Sequence, residues 1–185
     1  MKPVEFNLLE QNLRSPRVYV LQLRQDDPKK CTAAKLVRLR LASPLYKIRQ
    51  VPRNSLVLNP FAPGVLLNRD KGEAFRYGLV AVDCSWENVQ ETFTNRLPGR
   101  GRRLPTLLAS NPVNYAKPHK LSSLEALAAS LHIMGFEEEA RRLLSIFKWG
   151  ETFLTLNGEP LKAYASASDE KELIEAESEF FPTGT

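Results

Sequence analysis

Cysteine and histidine are scarce in this 185-residue chain, with two of each. Cys31 and Cys84 are too few for a disulfide framework, and with His119 and His132 they form no cluster spaced as a zinc site. No apolar run approaches the roughly 20 residues that a membrane span requires. Residues 18–23 are too short and too polar for the apolar region of a signal peptide. An intracellular, cytoplasmic protein with no structural metal and no membrane partner is therefore expected. No G-x-S-x-G elbow, P-loop or G-x-G-x-x-G follows an apolar run, so elbow-type serine catalysis and Walker or Rossmann nucleotide sites have no support.

Acid is scarce too, but only in part of the chain. Residues 1–120 carry 21 Lys and Arg against 9 Asp and Glu, a balance of +12, and residues 121–185 carry 5 against 12, a balance of −7. Such segregation is an argument about partners rather than about fold. The first two thirds should attract a polyanion, of which nucleic acid is the commonest, and the last third should be turned away from it. A merely solvated basic surface is the plain alternative. With 43% hydrophobic residues, the chain can bury one good core or two small lobes.

Apolar runs at 17–23, 55–58 and 78–83 read as strands, the second stopped by Asn59-Pro60. Residues 25–32 form a loop by their Asp and Pro content. Residues 32–41 form a basic helix with apolar positions 33, 36, 37 and 41. Residues 70–75 are turn-like, with at most one helical turn, and 86–94 are helical. Residues 98–103 read as a flexible basic loop and 104–109 as a further strand. Two prolines and two asparagines make 110–118 a long structured loop. Beyond it the period is helical. Ser122 and Glu125 fit a capping box, positions 124, 127, 128, 131 and 134 share one face, and Gly135 suits the C-terminal cap. A helix over 136–147 is acidic first and basic later, as the dipole favours. Residues 149–165 are helical with a break around 158–160, and 169–179 are at most a marginal helix. Strands alternating with helices predict a largely parallel α/β sheet.

In such sheets ligands bind at strand ends. Leu58-Asn59-Pro60, Asp83-Cys84-Ser85-Trp86 and the 110–115 loop would converge there if their strands are neighbours. An apolar slot of Leu, Pro and Trp suits a flat heterocycle such as adenine, and an indole face suits a cation, including a sulfonium. Trp86 opening a helix and packing on the core fits the same spacing. His132, one position past the apolar stripe, reads as structural. The 98–103 loop and the Lys29-Lys30 pair are candidate phosphate contacts.

DPKKCT at 27–32, VDCSW at 82–86, RRLPTLLASNPVNYAKP at 102–118 and KLSSLEALAASLHIMG at 120–135 resemble the aminocarboxypropyltransferases of small-subunit ribosomal RNA, the Tsr type. FKWGETFLTLN at 147–157 is similar to that family's C-terminal block. Together the blocks span about residues 17–165 in the expected order. Ser110 and Ala116 stand where the family often shows Ala and Gly.

The resemblance implies an N-terminal α/β basic lobe over 1–78. Over 79–185 it implies a SPOUT-like, cofactor-binding lobe with a trefoil knot and C-terminal helices. Knots are nearly absent from proteins, and spacing alone could not propose one. It also implies S-adenosylmethionine as cofactor, with the 3-amino-3-carboxypropyl chain moved to N3 of an N1-methylpseudouridine. The implied partner is small-subunit rRNA or the pre-ribosomal small subunit, and a monomer is expected. Matching motifs put Trp86 at the sulfonium, Leu58, Pro60, Leu104 and Leu121 around the adenine, Ser123 and Ala126 beside it, and Thr32 at the amino-acid tail. Asp83 either holds the cofactor's ammonium, the favoured role, or takes the imino proton as base. Lys29, Lys30, Arg38, Arg100, Arg102 and Arg103 are the expected RNA contacts. A methyltransferase of the same fold class, or a non-enzymatic rRNA-clamping assembly factor, remain the rivals.

Overall fold

Five short parallel strands form one sheet, in a computed structural model that describes residues 15–23, 31–86, 88–94 and 97–182. In chain order the elements are β1 (Val18–Gln22), α1 (Thr32–Arg38), β2 (Ser43–Leu45), β3 (Leu56–Leu58), α2 (Lys71–Tyr77), β4 (Leu79–Asp83), α3 (Val89–Thr94) and β5 (Arg100–Arg102). Then come α4 (Ser123–Ile133), α5 (Glu137–Leu144), α6 (Gly150–Ser166) and α7 (Glu170–Phe180). The strand order is β2-β1-β4-β3-β5. β1 and β4 run in register from Val18 opposite Leu79 to Gln22 opposite Asp83. Alternation sorts the side chains: Val20, Leu79 and Ala81 face the large core under the C-terminal helices, while Leu21, Val57 and Val80 face a smaller one. Burial on both faces explains why β4 reads as an unbroken apolar run.

β4 lies between β1 and β3, so the sheet continues across residue 78 and the stretches 1–78 and 79–185 contribute to one core. Gly78 makes the turn from α2 into β4 at φ +95°, where a Cβ would sit 2.9 Å from the Arg17 carbonyl. Lys29 and Lys30 lie outside the described residues. Among the described residues no helix is long and apolar enough to cross a membrane.

Several expectations are corrected. The stretch 98–103 is not a flexible loop, because Arg100–Arg102 is the edge strand β5. The Arg100 N–H donates to Ser55 O at 2.8 Å and the Asn59 N–H to Arg102 O at 2.9 Å. A ladder needs only backbone, so Arg-Gly-Arg can pair without an apolar signature. Residues 104–109 are not a strand; a lone bridge joins Leu108 to Pro118. Side chains hold this segment instead: Asn157 of α6 accepts from Leu108 N (2.8 Å) and donates to Leu108 O (2.9 Å). β2 escaped the sequence reading because of Pro44, which an edge strand tolerates. α2 covers seven residues rather than one turn. α6 continues through Pro160, which is buried with Leu161 and Tyr164. α7 is a capped helix anchored by buried Leu173. In the last two, tertiary burial outweighs weak local propensity.

Candidate functional site

The C-terminal edge of the sheet gathers residues that are distant in sequence. Asp83 ends β4. Its Oδ2 accepts from the Cys31 thiol at 3.1 Å and its Oδ1 from the Ser123 hydroxyl at 3.2 Å. Cys31 is the N-cap of α1, accepting from Ala34 N at 3.3 Å, and Ser123 is the first residue of α4. Two helix N-termini therefore meet at one carboxylate. Burial, with the Asp83 hydrogen bond and charge beside it, pushes the Cys31 thiol up to about 12. It stays protonated and serves as a donor, not as a nucleophile. Cys31 carried no signal beyond its place in DPKKCT.

Trp86 follows Asp83 at a turn and is half-buried. The Lys120 ammonium sits 4.7 Å from the centroid of its ring. The indole face therefore takes a cation in this fold, rather than only packing on the core. Leu104, Leu121 and Ala126 pack against the large core while remaining partly exposed. Leu58 is buried at the end of β3, Pro60 is exposed beyond it, and half-buried Thr32 opens α1.

One residue organises the loop that borders this edge. Glu125 is fully buried. Its Oε1 accepts from Ser110 N (2.6 Å), Ser110 Oγ (2.9 Å) and Asn111 N (2.9 Å). Its Oε2 accepts from Asn111 Nδ2 (2.8 Å), Ser122 N (2.7 Å) and Ser122 Oγ (2.7 Å). The capping box is present, but the same carboxylate also fastens the 110–111 corner to the start of α4. Sequence spacing announced the cap and was silent about the loop. Ala116 adopts φ +59°, the left-handed region in which a glycine would carry no Cβ penalty.

The expected RNA contacts fall into different settings. Arg38 is exposed at the last turn of α1, about 10 Å of helix away from Thr32. The Arg100 side chain is 57% exposed and pairs with Glu73 at 2.8 Å. Arg102 turns inward: its side chain is 12% exposed, and it binds Asp70, 5% exposed, through Nε and Nη2 at 3.0 Å each. Arg103 lies 3.8 Å from Glu170 and 3.9 Å from Glu177. The acidic third is thus not wholly turned away, since α7 packs its carboxylates onto the basic strand end. Glu177 also accepts from Thr106 N (2.6 Å) and Thr106 Oγ1 (2.5 Å).

His132 is buried, and among the described residues its Nδ1 has no hydrogen-bond partner. Burial lowers its pKa from the ordinary value, Glu137 opposes the shift and Arg141 adds to it. A cavity of about 430 Å³ lies at the far end of α4 from Ser123, lined by Lys71, Phe75, Phe136 and Glu137 among others. It holds no indole and no strand end, so it is remote from the residues described above.

A parallel sheet with a carboxylate and a cation-accepting indole just beyond the C-terminal end of β4 defines an α/β protein of the kind that binds small ligands at its strand ends. Residues 56–181 match the family model "Ribosome biogenesis protein, C-terminal". A protein of Methanopyrus kandleri called 16S rRNA aminocarboxypropyltransferase is 47% identical over 89% of this chain and 98% of its own. One of the same name from Methanococcoides burtonii is 43% identical over 88% of this chain and 94% of its own. The solved structure of the SAM-dependent rRNA acp-transferase Tsr3 from Vulcanisaeta distributa superposes with a TM-score of 0.82 at 40% identity, covering 89% and 88% of the two chains. The chain belongs to the 16S rRNA aminocarboxypropyltransferase family.

A second family model, "Possible Fer4-like domain in RNase L inhibitor, RLI", matches residues 16–44. Cys31 is the only cysteine in that stretch, three short of the four thiolates that a cluster requires. The donor set does not fit an iron–sulfur group.

Proposed function

We propose that this protein is an rRNA aminocarboxypropyltransferase. It would use S-adenosylmethionine to place a 3-amino-3-carboxypropyl group on N3 of an N1-methylpseudouridine in small-subunit rRNA. Likeness over nearly the whole chain to proteins of that name carries the reading. The donor set fits the cofactor, because Asp83 offers a carboxylate to an ammonium and Trp86 a face that already accepts a cation.

When bound, the cofactor supplies a sulfonium with three carbons open to displacement, and orientation selects which reacts. Leu58, Pro60, Leu104, Leu121 and Ala126 form an apolar wall suited to the adenine and the methyl, leaving the longer chain directed outward. Trp86 holds the positive sulfur, sharing or releasing Lys120. Thr32 orients the amino-acid end, and Ser123, beside the adenine, also holds Asp83 through its hydroxyl. Asp83 acts as a fixed counter-charge rather than as a base: both of its oxygens are already engaged, Oδ2 by the Cys31 thiol and Oδ1 by the Ser123 hydroxyl, which fixes its position.

The division at 78/79 is not one of labour: 1–78 brings most of the positive charge but also lends Thr32, Leu58 and Pro60 to the cofactor slot, while 79–185 brings the Asp83–Trp86 turn and the 104–126 side of it. A SPOUT-like trefoil knot within 79–185 belongs to this reading. Within that lobe Asn157, Tyr164 and Glu177 of the C-terminal helices hold residues 106–108, and the resemblance to the family carries the knot itself. Arg38 and Arg100 remain RNA contacts in this reading, and Lys29 and Lys30, outside the described residues, remain expected ones. Arg102, held by Asp70, supports the fold instead, and Arg103 reaches RNA only by leaving Glu170 and Glu177. The protein works as a monomer on rRNA or the pre-ribosomal subunit.

The test is mass spectrometry of an rRNA oligonucleotide after incubation with protein and cofactor. The aminocarboxypropyl mass is expected on the wild-type product, severely reduced by Asp83→Ala, while Trp86→Ala abolishes cofactor binding. A methyl increment would establish the rival methyltransferase. RNA binding with no addition at all would establish an assembly factor.

A further inference from the structure

The 110–119 loop exposes apolar surface where a soluble protein usually hides it. Val113 is 80% exposed and Tyr115 57% exposed. Among the described residues no ring contact or hydrogen bond engages the Tyr115 side chain. Phe61, by contrast, has Phe93 edge-on at 6.2 Å.

The loop that presents these side chains is firmly built. Ala116 N donates to Ala109 O at 2.7 Å, Ala109 N to Lys117 O at 3.1 Å, and Lys117 N to Asn114 O at 2.9 Å. Asn114 N donates to Asn111 Oδ1 at 3.1 Å, and Asn111 is itself fastened by buried Glu125. An aromatic ring on a preorganised support loses little entropy when it binds.

Charge names the partner. Residues 110–124 contain Lys117, His119 and Lys120 and no Asp or Glu, and both oxygens of Glu125, which follows, are filled. Exposed aromatic and apolar groups followed by lysines suit unpaired nucleotides: phosphates meet the lysines and a base meets the ring. Position agrees, since the returning end of the loop carries Lys120 onto Trp86 and Ser123 onto Asp83.

We propose that Tyr115, with Val113 beside it, is a stacking platform for an unpaired nucleotide of the RNA substrate, at the rim of the Asp83–Trp86 slot. The inference rests on the reading that this site modifies RNA, and it adds a recognition residue to it. The Tyr115 ring takes the base face and holds the splayed strand, while Lys117 neutralises phosphate.

Fluorescence anisotropy of a labelled small-subunit rRNA loop oligonucleotide, titrated with full-length protein over a range of salt, tests the proposal. Tyr115→Ala should weaken binding about 5- to 150-fold, and Tyr115→Phe should retain wild-type affinity. Stacking releases no counterions, so Tyr115→Ala should keep the wild-type slope of log K against log salt, whereas Lys117→Ala should reduce it by about one. S-adenosylmethionine affinity and melting temperature should be unchanged in the tyrosine variants. Wild-type oligonucleotide affinity in Tyr115→Ala would overturn the proposal. So would unchanged affinity with lost activity on pre-ribosomal subunits, which would assign the ring to a ribosomal protein. Failure of wild-type protein to add the aminocarboxypropyl mass, with RNA affinity still dependent on Tyr115, would sink the catalytic reading and leave the platform standing.

Discussion

Replacing Glu125 with glutamine changes little volume but converts one acceptor oxygen into a donor, deep in the protein. The retained oxygen can stay with Ser110 N and Asn111 N, which approach Oε1 at 2.6 and 2.9 Å. The new NH2 then faces Ser122 N and Asn111 Nδ2, which approach Oε2 at 2.7 and 2.8 Å. The Ser122 hydroxyl can rotate to accept, but an amide N–H cannot. Flipping the Asn111 amide would break its bonds to Lys120 O and Asn114 N. Each buried donor left without a partner costs about 1–3 kcal/mol, so the two conflicts together should cost about 3 kcal/mol. For a domain of this size, 1 kcal/mol corresponds to roughly 2–4 °C, and Glu125→Gln should melt about 6–12 °C lower by circular dichroism. Because the carboxylate pins the 110–111 corner, cofactor and RNA affinity should fall together even well below the melt. A variant melting within about 2 °C of wild type, with both affinities intact, would refute the assignment of this carboxylate as the loop's anchor.

Arg102→Glu should destabilise the protein rather than merely weaken RNA binding. It sets a second carboxylate against Asp70 in a nearly closed site, and breaking a buried pair costs about 3–5 kcal/mol; urea denaturation measures the loss. A stable Arg102→Glu variant with reduced RNA affinity would instead return this residue to the RNA face. His132 should make stability fall in acid. Its folded pKa lies below the unfolded value of 6.5, so the unfolded chain binds the extra proton. Stability is then complete above about pH 6.5 and declines as pH falls toward the lowered folded value. His132→Leu should flatten that part of the stability–pH curve, and an unchanged slope would contradict the buried neutral imidazole.

What the chain determined alone was local or periodic. The apolar runs behind β1, β3 and β4 were readable because both sheet faces are buried, and α4 because its face repeats every three to four residues. Asp83 and Trp86 stood out because they interrupt a strand where α/β sheets bind ligands. Tertiary structure decided whatever depends on partners far along the chain. β5 is a strand because β3 offers it a ladder, not because Arg-Gly-Arg prefers one. Arg102 is structural because Asp70, 32 residues earlier, waits beneath it, and Cys31 meets Asp83 across 52 residues. Leu108 is held by Asn157 from 49 residues away. Hydrogen bonds and ion pairs act over about 3 Å and carry no trace in sequence order; only the folded backbone brings such groups within reach.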